Sequence, residues 1–288
     1  MLDVCIIVPT YNNEDYTIRC FNSIYRNTDL KYKIIWIDNA SSIESRNKVD
    51  NFVKKTGIPM YKIFNKKNKG FIDATNQGIK IALKLDPDYI VFQNNDTEVY
   101  KNWINDYIEI AESNPDIGIV GPITSPCDSW QSIDNLKIRD EQFINYPAYD
   151  NNPKEYSKLI RKKYYGKVKQ VDHMVAFFST LFKIETIKQV GLLSKTYGIG
   201  FGDDDDYCNR ALDKGWQIVL AIGIFVFHNH RTTFKTLYTE EEIVKMQSKN
   251  LRIFKNKHKT TIFLNKIKFA LFTPHKFVKK YFEKYFLI

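Results

Sequence analysis

The residues most able to do chemistry are four consecutive aspartates, Asp203–Asp206, which follow the glycine-rich segment Gly198–Gly202. Neighbouring carboxylates repel one another, so at least one of them should have a raised pKa, which suits a general base. The alternative is a solvated helix start, where acidic side chains interact favourably with the helix dipole. The glycine-rich segment favours the first interpretation, because a flexible lead could bring the carboxylates into a cleft.

A second candidate site lies at Asp96, which follows Asn94 and Asn95 at the end of an apolar run, residues 89–92. Carboxylate and amide oxygens suit a hard divalent cation such as Mg²⁺ or Mn²⁺, and a nucleotide diphosphate would supply the remaining ligands. Alternatively, these polar residues only cap a helix that begins near Lys101.

Further candidate site residues lie at the ends of two other apolar runs. His228 and His230 follow residues 218–227 and lie two positions apart, so both project to one side of a strand. Either histidine could complete a metal site, or could be structural. Asp38 ends residues 33–37, where its carboxylate could accept a hydrogen bond from a nucleoside base or a ribose hydroxyl, or could form an Asx-turn.

These residues need a scaffold, and the first hundred positions predict one. Short apolar runs are typical of buried strands, and helical spacing follows the first and third of them. The order strand, helix, strand, strand, helix, strand predicts an α/β fold with a mostly parallel sheet flanked by helices, and ligands bind such sheets outside the carboxyl ends of the strands. The predicted strands are residues 4–8, 33–37, 60–64 and 89–92, and three of them end in polar groups.

The later chain is less regular. A helix is predicted over residues 103–111 and strands over 117–120 and 218–227. Residues 123–170 lack clear periodicity and contain several prolines, which predicts a functional loop or lid.

The net charge of +10 comes from one end of the 288-residue chain. From Lys245 onward there are 12 Lys or Arg and one Glu, which leaves 31 basic and 32 acidic side chains in the first 244 residues, a net of −1. The four cysteines are dispersed, which excludes a disulfide scaffold and predicts a reducing compartment. No signal peptide is predicted, and the longest apolar run is about half of the roughly 20 residues that a membrane span needs, so a cytoplasmic protein is expected.

The basic C-terminal segment has its own pattern. Thr273-Pro274 can start a helix whose aromatic residues fall on one face and whose lysines fall on the other. Such a helix lies on anionic membrane surfaces, and would make the protein peripheral on the inner face of the membrane. The alternative is that residues 245–288 pack on the catalytic body or on a second subunit.

Taken in order, these motifs resemble glycosyltransferase family 2, whose members have the GT-A fold, and the closest pattern is that of the rhamnosyltransferase-like subgroup. The resemblance covers residues 4–235. It is carried by Ile7–Asn12, Ile35–Ser41, Asn68–Phe71 with Ala74, Asn76 and Gly78, Asn94–Thr97, Gly202–Asp206 with Arg210, and Phe227-His228.

The resemblance implies inverting transfer of a hexosyl or deoxyhexosyl group from a nucleotide-diphosphate sugar. It assigns three sets of residues to this reaction. Asp204, preceded by Asp203, would be the catalytic base. Asp96, His228 and Asn94 would bind Mn²⁺ or Mg²⁺. The nucleotide sugar would contact Pro9, Thr10, Tyr11, Asn12, Asp38, Lys69, Gly70, Asn76, Asn95 and Asp96.

The resemblance also implies a catalytic domain over residues 1–235, with a nucleotide-sugar half at 1–122 and an acceptor half at 123–235, followed by a basic helical extension at 236–288. The acceptor would be a glycan, a lipid-linked sugar or a protein, as in cell-surface polysaccharide or glycoconjugate synthesis. Two alternatives remain open: a nucleotidyltransferase that makes a nucleotide sugar, and a basic nucleic-acid- or membrane-binding protein. Nucleic acid is not expected as a partner, because carboxylates at the strand ends would repel phosphate.

Overall fold

A nine-stranded mixed sheet organises the part of the chain that the computed structural model describes, residues 2–127, 129–135, 152–229 and 237–258. The spatial order of the strands is β3-β2-β1-β4-β8-β6-β9-β5, with β7 also paired to β9. The strands are β1 Asp3–Thr10, β2 Lys31–Asp38, β3 Met60–Phe64, β4 Tyr89–Gln93, β5 Thr97–Glu98, β6 Ile117–Thr124, β7 Val168–Val171, β8 Ser179–Lys183 and β9 Gln217–His228.

Helices flank the sheet, as the sequence predicts. They are α1 Glu14–Asn27, α2 Ile43–Thr56, α3 Gly70–Leu85, α4 Trp103–Glu112, α5 Pro153–Tyr164, α6 Ile184–Val190, α7 Asp203–Asp213 and α8 Glu240–Lys257. No helix among the described residues is long and apolar enough to cross a bilayer.

The first four strands of the sheet position the polar groups that follow them. β1 pairs in parallel with both β2 and β4, and β2 pairs in parallel with β3. The carboxyl ends of these strands therefore meet at one edge of the sheet. Thr10 at the end of β1 is in register with Asp38 at the end of β2.

The second half of the chain joins the same sheet. β8 lies antiparallel between β4 and β6, and β9 is parallel to β6. The short strand β5 pairs antiparallel with the end of β9, so that Thr97 is in register with His228. This pairing places the end of β9 next to the segment that follows β4.

Both faces of the sheet are buried, which explains why its strands are continuous apolar runs. In β1, Cys5 and Ile7 belong to one core cluster, and Val4, Ile6 and Val8 belong to the other. Helix α3 packs closely on the first face. A Cβ atom added at Gly78 of α3 would lie 2.4 Å from Cγ2 of Ile7 and 3.0 Å from Cδ1 of Ile37.

The variant Gly78→Val should destabilise the fold, because its side chain must push α3 away from β1. Overpacking of this kind lowers the free energy of unfolding by about 1–3 kcal/mol, which urea denaturation would measure. The matched control is Lys80→Val, at an exposed position of the same helix, where a change within about 0.5 kcal/mol is expected. Equal midpoint shifts in the two variants would contradict the close packing at Gly78.

Two parts of the chain differ from the prediction. Helix α2 was not predicted, because it buries only Ser45, Val49 and Val53 and so shows little apolar periodicity. Residues 152–170 were expected to be irregular, but they form α5 and most of β7. Pro153 is not a breaker there, since it occupies the first turn of α5, where its missing N–H is no loss. The helix predicted from Thr273 lies outside the described residues, as do residues 136–151 of the predicted lid.

Candidate active site

An open cleft of about 1500 Å³ lies at the edge of the sheet where β1, β2 and β4 end. Its wall is completed by the first turn of α7, the end of β9 and one face of α8. Among the predicted site residues, the cleft brings together Pro9, Thr10, Tyr11, Lys69, Gly70, Asn94, Asn95, Asp96, Asp203, Asp204 and His228. Asn12, Asp38 and Asn76 do not lie on its wall.

Asp96 and His228 face each other in this cleft. Both side chains are almost buried, and Oδ1 of Asp96 lies 3.1 Å from Nε2 of His228. The main chain fixes the pair, because the N–H of Asn229 donates to the carbonyl of Asp96 at 3.0 Å. The imidazole also stacks on the ring of Phe178, with centroids 5.1 Å apart. The structure thus joins two residues that are 132 positions apart in sequence.

The chemistry of this pair fits a divalent cation whose remaining ligands come from a substrate. The described residues contain no group of three or more His, Cys, Asp or Glu side chains that could hold a metal ion. One carboxylate and one imidazole are donors that Mn²⁺ accepts, and Mg²⁺ is commonly held by one or two carboxylates together with substrate phosphates. Asn94, two residues before Asp96, also lines the cleft. His230 lies outside the described residues.

The four aspartates at the start of α7 fall into two groups by their position. Asp203, Asp204 and Asp205 line the cleft, whereas Asp206 faces away from it and is fully buried. Burial raises the pKa of Asp203 to about 8, and the charge of Asp204 adds to the rise. Burial also raises the pKa of Asp204 and that of Asp205. Repulsion, the cause expected from the sequence, is therefore secondary to removal from water.

Asp206 anchors α7 to the rest of the molecule. Burial alone would raise its pKa, but the cationic groups around it hold the pKa below its usual value. Its carboxylate accepts hydrogen bonds from Arg210 Nε at 2.8 Å, Lys257 Nζ at 2.6 Å and His258 Nε2 at 2.9 Å. A fully buried carboxylate with these donors is a structural group.

Asp38 lies under the cleft instead of on its wall. Its side chain is buried, and its Oδ2 accepts a hydrogen bond from Arg46 Nε at 2.5 Å. Its Oδ1 accepts from the N–H of Ser41, three residues further on, at 3.3 Å, so the carboxylate bonds locally at the strand exit. The next residue, Asn39, reaches the cleft. Contact between Asp38 and a nucleoside stays a prediction.

Asn76 and Asn12 are also engaged within the protein. The side chain of Asn76 donates to the carbonyl of Leu193 at 3.0 Å and accepts from the N–H of Leu193 at 2.9 Å. Oδ1 of Asn12 accepts from the N–H of Ser42 at 2.9 Å. These contacts connect α3 and the end of β1 to neighbouring segments. Both residues therefore stabilise the elements that form the cleft, without lining it.

Sequence analysis missed several residues that shape the cleft. Asn39 was passed over in favour of its neighbour Asp38. Its Oδ1 accepts from the N–H of Lys69 at 3.0 Å and its Nδ2 donates to Oδ1 of Asn68 at 2.8 Å, so it fixes the turn before α3. Lys67 adds a second cation beside Lys69. The lysine cluster at 66–69 was a usable signal for an anion-binding edge.

Helix α8 forms one wall of the cleft. This placement at the site was not predicted, although packing of residues 245–288 on the catalytic body was one of the two alternatives. The side chains that it contributes recur at helical spacing on one face: Glu240, Gln247, Ser248, Leu251 and Phe254. Thr239 and Glu242 form a capping box at its start, which fixes where the helix begins. The described part of the basic extension therefore lies at the site.

A family model described as glycosyl transferase family 2 matches residues 5–190 of the chain. This range includes Asp96 and ends before Asp203 and His228. An uncharacterized glycosyltransferase of Rickettsia bellii is 32% identical over 111 residues, which is 38% of this chain and 15% of that protein. The chain spans less than half of the length of the curated relatives that it matches.

Two solved structures share the fold. The mannosyltransferase PcManGT from Pyrobaculum calidifontis, in complex with GDP-Man and Mn²⁺, has a TM-score of 0.57 at 16% identity and covers 78% of this chain and 56% of its own. GalNAc-T7 with UDP, GalNAc and Mn²⁺ has a TM-score of 0.59 at 14% identity and covers 79% and 43%. At these identities the likeness shows the fold alone, which is GT-A-like, as predicted.

Proposed function

The chain belongs to glycosyl transferase family 2, and from that premise we propose that it transfers a sugar, with inversion, from a nucleotide-diphosphate sugar to an acceptor hydroxyl. One observation carries the proposal: a single cleft contains the Asp96–His228 pair and three carboxylates with raised pKa values. The pair suits a leaving diphosphate, and the carboxylates suit proton removal from an acceptor.

The donor would lie along the edge formed by β1, β2 and the start of α3. Thr10, Tyr11 and Asn39 line the part of the cleft next to the strand ends, where nucleosides bind in open α/β sheets. Lys67 and Lys69 stand just before the N-terminus of α3, and both the cations and the helix dipole favour a diphosphate there.

Asp96 and His228, together with Asn94, would hold the divalent ion. When bound, Mn²⁺ or Mg²⁺ would neutralise charge that develops on the leaving diphosphate. The two solved neighbours named above contain Mn²⁺, which supports a divalent cation as cofactor. His228 favours Mn²⁺ over Mg²⁺, because imidazole is a poorer ligand for the harder ion.

Asp204 would accept the proton of the acceptor hydroxyl as that oxygen attacks the anomeric carbon. Attack from the face opposite the leaving diphosphate inverts the anomeric configuration. A base is most effective when its pKa lies near the working pH, and burial moves the pKa of Asp204 in that direction. Asp203, with a pKa of about 8, would stay protonated at neutral pH and so would not add a second repelling charge.

The acceptor would bind between the first turn of α7 and the cleft face of α8. That face offers the polar side chains of Gln247 and Ser248 next to the apolar side chains of Leu251 and Phe254. A sugar ring presents the same combination of hydroxyl groups and a C–H face. We therefore favour a glycan acceptor over a protein, consistent with a role in cell-surface polysaccharide synthesis. The rhamnosyltransferase-like subgroup stays a prediction.

A panel of nucleotide sugars tests the proposal. With Mn²⁺ present, the correct donor should raise the melting temperature by several degrees, since a ligand at 100 times its Kd adds about 2.7 kcal/mol of stability. The hit should then be hydrolysed slowly without acceptor, releasing the nucleoside diphosphate. Release of pyrophosphate from a nucleoside triphosphate and a sugar phosphate would instead support a nucleotidyltransferase. Salt-dependent binding of DNA or RNA with no donor binding would contradict both enzymes.

A further inference from the structure

One buried amide on α8 contacts the segment that leads into the aspartate run. The side chain of Asn250 is 6% exposed. Its Nδ2 lies 2.9 Å from the carbonyl oxygens of Tyr197 and Gly200 and 3.0 Å from that of Phe201. A single amide group thus binds three carbonyls across one turn of the chain.

The turn that Asn250 holds has an unusual backbone. The φ angles of Gly198, Phe201 and Gly202 are 65°, 69° and 93°, and that of Gly200 is 145°. Glycine adopts such angles readily, but a bulky residue in the left-handed region costs of order 1 kcal/mol. Since Phe201 adopts this conformation, the turn needs contacts from elsewhere to hold it. The two N–H groups of the Asn250 amide, shared among three carbonyl oxygens, supply them.

The turn ends where the candidate base begins. Gly202 is the N-cap of α7, and Asp203, Asp204 and Asp205 follow directly on the cleft wall. A second contact reinforces the arrangement, because Lys257 and His258 at the end of α8 bind Asp206. Helix α8 therefore holds the first turn of α7 from both sides of the three cleft carboxylates.

We propose that Asn250 is a positioning residue that fixes the 197–202 turn and, through it, the place of the Asp203–Asp205 carboxylates in the cleft. Its kinetic consequence rests on the function proposed above, whereas its structural consequence does not. Displacement of a reacting group by about 1 Å can cost on the order of 100-fold in rate. Asn250 lies 60 residues beyond the part of the chain that the family model matches.

The test compares Asn250→Ala with Asn256→Ala, which removes an exposed asparagine from the same helix. Asn250→Ala should lower kcat by about 10- to 100-fold and change the donor KM by less than about twofold, because the donor edge is formed by other elements. Asn256→Ala should match the wild type. Equal kcat values for the two variants, or a loss confined to KM, would overturn the proposal.

A second measurement does not depend on activity. Hydrogen exchange of the full chain should accelerate at residues 198–205 in Asn250→Ala and stay at the wild-type rate in Asn256→Ala. Unchanged exchange in the turn would overturn the proposal even if kcat falls. If the wild type turns over no nucleotide sugar, the proposed function fails, and the exchange comparison still decides the role of Asn250.

A milder variant guards against loss of folding. Asn250→Ser keeps one donor on a shorter side chain, so its kcat should lie between those of the wild type and Asn250→Ala. Should Asn250→Ala not fold, the comparison of Asn250→Ser with Asn256→Ser carries the same expectations. A kcat for Asn250→Ser equal to that of Asn256→Ser, with equal exchange in the turn, would contradict the proposal.

Discussion

Asp204→Asn is expected to abolish sugar transfer, with kcat lower by about 10²- to 10⁴-fold, the usual contribution of a general base. The amide has the size of the carboxylate but cannot take the proton of the acceptor hydroxyl. Donor affinity should be nearly unchanged, because the donor edge of the cleft is formed by β1, β2 and α3. Steady-state kinetics with the donor identified by the panel, together with nucleotide binding by calorimetry, would measure both quantities.

The same variant should be more stable than the wild type, which separates loss of the base from loss of the fold. In the folded protein burial, aided by the charge of Asp204, raises the pKa of Asp203 to about 8 from an ordinary value of 3.8. Between these values the folded state holds a proton that the unfolded state has lost, so the free energy of unfolding falls as pH rises. Without the charge of Asp204 the pKa of Asp203 is lower. The free energy of unfolding should therefore decrease less between neutral pH and pH 8.

Melting temperatures measured from pH 6 to pH 8.5 would test this second expectation. Asp204→Asn should melt a few degrees above the wild type at pH 8, since 1 kcal/mol corresponds to about 2–4 °C in a domain of this size. Asp205→Asn is the matched control, because it makes the same replacement of a carboxyl group on the same cleft wall. It should retain transfer. If Asp205→Asn loses transfer and Asp204→Asn keeps it, the base is Asp205.

Local signals were enough to predict the edge of the cleft where β1, β2 and β4 end. The ends of β1, β2 and β4 were predicted from apolar runs that stop at polar residues. Such a pattern can be recognised without knowledge of contacts between distant segments. Asp96 followed from the end of β4, and His228 from the end of β9. The register between Thr97 and His228 then brought the two predicted residues together.

The remainder depends on contacts between distant segments, which a pattern along the chain does not reveal. Asp206 appeared equivalent to Asp204 because both belong to one run of like residues. Only the packing of α8 shows that Asp206 binds Lys257 and that the cleft carboxylates are the other three. Asn250 was equally inconspicuous, since its three carbonyl partners lie about 50 residues away.

Asp38 illustrates a different limit. The sequence placed a carboxylate at a strand end and left two interpretations open, a nucleoside contact and an Asx-turn. The structure shows a local hydrogen bond from Ser41 and an ion pair with Arg46. Arg46 lies eight residues later on α2, which was not predicted as a helix. Because the helix was missed, the cation that binds the carboxylate was missed with it.

Replacing His228 or Asp96 should produce the second large loss. His228→Ala and Asp96→Ala are each expected to lower kcat by about 10²- to 10³-fold, the loss that removal of one electrostatic stabiliser of a developing negative charge commonly causes. The residual activity should no longer respond to Mn²⁺ or to its removal by a chelator. The reason is that Asp96 and His228 are the pair that would hold the ion against the leaving diphosphate.

Metal titration gives this expectation a direct readout. Because two side chains are a sparse ligand set, Mn²⁺ should bind the wild type weakly alone and more tightly once a nucleoside diphosphate is present. Electron paramagnetic resonance of free Mn²⁺ would measure both affinities. The control is Asp73→Asn, an acidic residue that faces the same cleft but pairs with Lys195 at 2.7 Å, and it should leave both affinities unchanged. Tight binding of Mn²⁺ in His228→Ala would show that the ion lies elsewhere, and the leaving diphosphate would then be stabilised by Lys67 and Lys69 instead.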